Sequence, residues 1–178
     1  PGEEEPHVSG SFCLAIEDAA SMEASAAALE SAGQRAAFFL TGDEIEAFPE
    51  LVRSLYAAGH TIGLTVPDGC EDPAAELGSA NEALFRVLRR KTLCALLTAA
   101  QTEDCIGYAI FIRPEEQPPL EELLTDGAET HLLVCTDDTA EVLSQLDRAG
   151  ATLRPLRETS PLAQSIVPQE PPENDGLQ

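Results

Sequence analysis

The stretch from Phe38 to Thr65, FFLTGDEIEAFPELVRSLYAAGHTIGLT, constrains the fold more than any other part of the chain. Phe38, Phe39 and Leu40 form a short apolar run that stops at Thr41-Gly42, as a buried strand does on meeting a turn. Pro49 stands where the first turn of a helix tolerates proline, because that N–H has no intrahelical acceptor. Leu51, Val52, Leu55 and Tyr56 recur at spacings of three and four, which makes one apolar helix face. Ala58-Gly59 ends that helix, the glycine suiting a left-handed cap. His60 to Thr65 is then a second strand, so the stretch reads strand, loop, helix, turn, strand.

The alternation continues on both sides. Phe12 to Ile16 reads as the first strand and Ala20 to Ala32 as a helix ending at Gly33. Asp72 is a helix N-cap with Pro73 at the first helical position. That helix runs to about Arg90, with Leu77, Leu84, Val87 and Leu88 inward. Its C-terminal cluster Arg86, Arg89, Arg90 and Lys91 complements the helix dipole. Leu93–Leu97 and Ile106–Ile112 are further strands, and Leu120–Leu124 is a short helix after Pro118-Pro119. His131–Thr136 is a strand, Thr139–Ala149 a helix and Ala151–Leu156 the closing strand. Strands alternating with helices imply a mostly parallel sheet under helical cover.

About seven strands are too few for a regular eight-fold barrel, which typically needs about 250 residues. The expected fold is a small, incomplete (β/α) barrel, with a doubly wound open sheet as the alternative. Ala19-Ala20-Ser21 follows the first strand where a nucleotide-binding sheet would carry glycines. Three regions result: a flexible acidic lead-in over 1–11, one domain over 12–157, and a disordered Pro/Glu-rich tail over 158–178.

Ten Lys+Arg against 32 Asp+Glu give a formal charge of −22, which repels nucleic acid and anionic polymers. No apolar run approaches the ~20 residues that span a bilayer. No export signal is visible, and a chain that begins at Pro1 leaves room for one upstream. None of Cys13, Cys70, Cys94, Cys105 and Cys135 is spaced as C-x-x-C, and an odd count leaves a thiol over; they read as small core residues.

The central stretch resembles the polysaccharide deacetylase (NodB-homology) family, where "ATFFLTG…PELV…GHxIGNHT" joins the second and third strands of an irregular α/β barrel. The resemblance extends from about Cys13 to Leu156. It implies a metal-dependent deacetylase fold, zinc or another divalent metal as cofactor, and an extracytoplasmic or cell-surface setting. In the family the first strand ends in Thr-Phe-Asp-Asp-Gly, whose aspartates are the general base and a metal ligand. Here Glu17 and Asp18 stand at those positions. The family's two histidine ligands fall on Thr65 and Gly69, so both are missing. Its Arg-x-Pro-Tyr segment on the fourth strand matches Lys91–Leu97, which has no arginine, proline or tyrosine after Lys91. Its late Leu-x-His, read onto Gly127–Asp137, puts Cys135 where the histidine acid would be.

Two of three ligands lost cannot hold a catalytic zinc, which normally takes three protein ligands and a water. Glu17, Asp18 and Cys135 are therefore read as vestigial positions, with no metal, no cofactor and no catalytic residue expected. The first functional class is a non-catalytic carbohydrate- or protein-interaction domain. The alternative is an active N- or O-acetyl carbohydrate deacetylase with altered ligands. Cell-wall or other polysaccharide, or a protein, is the expected partner. With no Trp and only Tyr56 and Tyr108, stacking surfaces for sugars are scarce.

Overall fold

The computed structural model describes residues 11–125, 130–135 and 138–165. Its strands are β1 (Ser11–Ile16), β2 (Ala37–Leu40), β3 (Thr61–Thr65), β4 (Cys94–Leu97), β5 (Ala109–Ile112), β6 (Thr130–Cys135) and β7 (Thr152–Leu153). All pair in parallel in one sheet of order β5-β4-β3-β2-β1-β6. β7 lies beside the first two residues of β1. The helices are α1 (Ala19–Ala32), α2 (Gly42–Ala47), α3 (Pro49–Ala57), α4 (Pro73–Leu88), α5 (Leu120–Thr125) and α6 (Thr139–Arg148). The sheet curls into a half-barrel, the incomplete (β/α) barrel expected from the alternation.

Side-chain parity splits the core in two. Phe12, Leu14 and Ile16 of β1 pack with Phe38, Leu40, Ile62 and Leu64 under the helices. Cys13 and Ala15 face the concave side with Phe39, Leu96, Phe111 and Leu156. β1 to β5 are buried on both faces, so their sequences show apolar runs rather than alternation. Gly63 is required here: a Cβ would overlap the Phe39 ring and sit 3.2 Å from the Cys94 carbonyl oxygen.

Several expectations need correction. The loop before Pro49 is the helix α2, started by a reciprocal capping box: Glu44 N donates to Thr41 Oγ1 and Thr41 N to Glu44 Oε1. Tyr56 lies outside the core at 41% exposure, its ring beneath the Arg90 guanidinium. Leu93 and Ile106 are also exposed, and their strands begin later. Ser11, placed in the lead-in, opens β1 and pairs with Thr130 and Thr152.

The proposed tail also folds further than its composition suggests. Ile110 and Gln164 exchange both backbone hydrogen bonds at 2.7 Å, an antiparallel bridge on the outer edge of β5. Leu162 and Ala163 pack against the concave core. At the other edge, the Gln117 amide pairs with both the N–H and C=O of Val134 at 2.9 Å. An open half-barrel has two strand edges that would otherwise invite pairing with another chain. Short polar segments cover both. Residues 1–10 and 166–178, the remainder of the lead-in and tail, lie outside the described residues.

Candidate functional site

Parallel strands put the ends of β1, β3, β4, β5 and β6 on one rim, so Glu17, Thr65, Leu97, Arg113 and Cys135 share that end of the sheet. Glu17 follows the parity of Cys13 and Ala15 and faces the concave side. Thr65 and Arg113 face it too. Arg113 donates through Nη2 to Glu17 Oε1 and, at 3.1 Å, to Thr65 Oγ1. Its Nη1 lies 3.5 Å from Asp68 Oδ1. Thr65 Oγ1 in turn donates to the Leu96 carbonyl at 2.9 Å. Arg113 Nε is buried with no partner among the described residues. The Glu17 and Arg113 side chains are 14% and 21% exposed. Burial pushes the Glu17 carboxyl above its usual range, and the Arg113 guanidinium offsets this only in part.

The other positions named from the resemblance do not join this cluster. Asp18 has φ 73° and its carboxylate accepts from Ala20 N at 3.2 Å, capping α1. The neighbouring Ala19 N–H goes to Glu44 Oε2 at 3.1 Å. Gly69 lies in an exposed turn at φ 76°, a backbone angle that disfavours any side chain. Cys135 pairs with Ile16 in register and is buried on the helix-facing side, with Leu133 and Leu146. It thus points away from Glu17, and burial lifts its thiol to about 12. The reading of Cys135 as the acid position is corrected by this parity. Val134 faces the concave side instead. Thr136 and Asp137 lie outside the described residues.

Arg113 is the site residue that sequence reading missed. The arginine sought at the end of the fourth strand stands at the end of the fifth, in Ile112-Arg113-Pro114. An arginine followed by proline closing an apolar run was the available signal. As for metal, Thr65 is already engaged twice, Gly69 has no donor, and Asp18 is spent on a helix. The Arg113 guanidinium lies against Glu17, Thr65 and Asp68, so the donor set does not fit a divalent cation. Among the described residues no three His, Cys, Asp or Glu side chains are grouped to hold one. The five thiols are free, with Cys13, Cys94, Cys105 and Cys135 buried as expected.

No family model matches the sequence, and no curated protein does. Solved structures do match in fold. The polysaccharide deacetylase Bc1974 from Bacillus cereus aligns at TM-score 0.67 and 13% identity, over 85% of this chain and 94% of that one. The Bc1960 peptidoglycan N-acetylglucosamine deacetylase aligns at TM-score 0.61 and 19% identity, over 85% and 88%. BA3943, a CE4 family pseudoenzyme from Bacillus anthracis, aligns at TM-score 0.57 and 15% identity, over 82% and 63%. The chain therefore has the NodB-like polysaccharide deacetylase fold.

Proposed function

We propose that this chain is a polysaccharide deacetylase-like domain that has kept the fold and given up deacetylation for a binding role. One observation carries the reading: Arg113 is locked to Glu17 and Thr65 in the concave rim. A general base needs an activated water beside it. Next to Glu17 stand the Arg113 guanidinium and the Thr65 hydroxyl, and among the described residues no group of metal-ligating side chains that would activate one. A divalent metal at this position would meet the guanidinium charge at close range, with no histidine among the described residues placed to hold it. BA3943 supports the reading as a protein of similar fold described as a pseudoenzyme. A mutant of it is described as having restored activity, so this scaffold accommodates both states. The partner is carbohydrate or protein, met outside the cytoplasm, as the resemblance implies.

The test is acetate release from acetylated chitin oligomers and from peptidoglycan, with and without added zinc, alongside co-sedimentation with the same polymers. No acetate above a protein-free blank is expected. Turnover that Glu17→Gln abolishes would overturn the proposal.

A further inference from the structure

Half of the ten cations form ion pairs: Arg53, Arg86, Lys91, Arg113 and Arg148. The others, Arg35, Arg89, Arg90, Arg154 and Arg157, form none among the described residues. All five lie at the N-terminal end of the sheet, opposite the rim. Arg35 precedes β2, and Arg89 and Arg90 precede β4. Arg154 donates to Ser11 at the start of β1, and Leu156 accepts from Thr61 at the start of β3. In a chain of net charge −22, cations without an ion-pair partner among the described residues, gathered at one end, stand out against an acidic background.

That end contains a cleft of about 680 Å³. Arg90, Lys91 and Arg157 line it with a single carboxylate, Glu158, and Thr92 and Thr159 add hydroxyls. Its volume lies within the range of small-ligand sites, about 300–1,000 Å³. The Arg90 guanidinium carbon stands 5.8 Å from the Tyr56 ring centroid, a stacking contact that orients its donors in advance. Lys91 is held by Glu82 at 2.8 Å. Arg157 is set by a turn in which its N–H donates to Ser160 Oγ at 2.8 Å.

We infer that this cleft is a binding site for a small organic oxyanion, a phosphate or carboxylate monoester-sized molecule held by Arg90 and Arg157. Guanidinium forks bind such groups through paired, charge-assisted hydrogen bonds. Long polyanions are disfavoured, because the rest of the molecule repels them. The site lies at the opposite end of the sheet from Glu17 and Arg113, so it stands or falls independently of the reading of the rim.

The experiment is calorimetric titration of the full chain, at matched ionic strength, with glucose 1-phosphate, glucuronate and uncharged glucose. Saturable one-to-one binding is expected for one charged probe and not for glucose. The probe that saturates separates phosphate from carboxylate. The double variant Arg90→Gln/Arg157→Gln, checked for unchanged urea stability, should bind at least about tenfold more weakly, the loss of one or two charge-assisted hydrogen bonds. Arg148→Gln, which removes an ion-paired cation outside the cleft, should leave affinity unchanged. Failure of both charged probes to saturate, or equal binding by the double variant, would overturn the inference.

Discussion

Replacing Arg113 by methionine keeps an unbranched chain in the rim and removes the charge. Glu17 is then left with 14% of its side chain exposed and no cation. Breaking a fully buried pair costs about 3–5 kcal/mol, and an exposed pair about 0–1. With both partners mostly but not fully covered, Arg113→Met should cost about 2–4 kcal/mol near neutral pH. The double variant Glu17→Leu/Arg113→Met should recover to within about 1 kcal/mol of the original, since apolar replacement of a buried pair is often near neutral. Thr65 keeps its bond to the Leu96 carbonyl, so no buried hydroxyl is orphaned.

The pH dependence sharpens the case. Without Arg113 the Glu17 carboxyl rises further above 4.5, its ordinary value. A carboxyl raised in the folded state favours folding below its ordinary pKa, and that contribution is lost as pH rises through the folded value. The Arg113→Met deficit should therefore be largest at neutrality and shrink toward pH 4.5. Urea unfolding by linear extrapolation, run as a double-mutant cycle at several pH values, measures all of this. A single variant within about 0.5 kcal/mol of the original, or a double variant equal to the sum of the singles, would refute the buried-pair account.

Other sites give simpler outcomes. Gly63→Ala should lower stability by about 1–3 kcal/mol, through overlap with Phe39; an unchanged urea midpoint would contradict it. His60 accepts from Ala36 N at Nδ1, and burial with Arg35 nearby depresses its pKa below 6.5. The unfolded state then takes up the proton first, so stability present above pH 6.5 should be lost as pH falls below it. His60→Asn should flatten that slope. Ending the chain after Thr159 removes the Gln164 bridge, so exchange of the Ile110 amide should accelerate; undiminished protection would mean the bridge does not cover β5.

The alternation of apolar runs, caps and turns was enough to read a parallel sheet under helical cover, because each element is bounded locally, but the same pattern also fits a doubly wound open sheet. Asp72-Pro73 opens α4 as read, with Asp72 Oδ1 accepting from Ala75 N at 3.1 Å. Faces were harder. Leu132 to Cys135 is apolar throughout, so nothing in the sequence separates Val134, which faces inward, from Cys135, which does not. That depends on the register with β1. Tyr56 fits the helical period of its neighbours, yet the Arg90 side chain, not the core, covers its ring. α2 was legible in Thr41-Gly42-Asp43-Glu44, a capping-box pattern passed over because the helix it starts is so short. Arg113 was missed because its partners, Glu17 and Thr65, are 96 and 48 residues away in sequence. The bridge at Gln164 was missed because backbone pairing needs no apolar side chain at that position.

The most direct test of the central claim is the zinc content of the full chain purified without chelator, repeated after equilibrium dialysis against free zinc. The locked Glu17–Arg113 pair and the missing donors at Thr65 and Gly69 predict no bound zinc at the rim. One zinc per chain, lost in both Asp18→Ala and Glu17→Gln, would show that the rim opens to form a metal centre and would contradict the account.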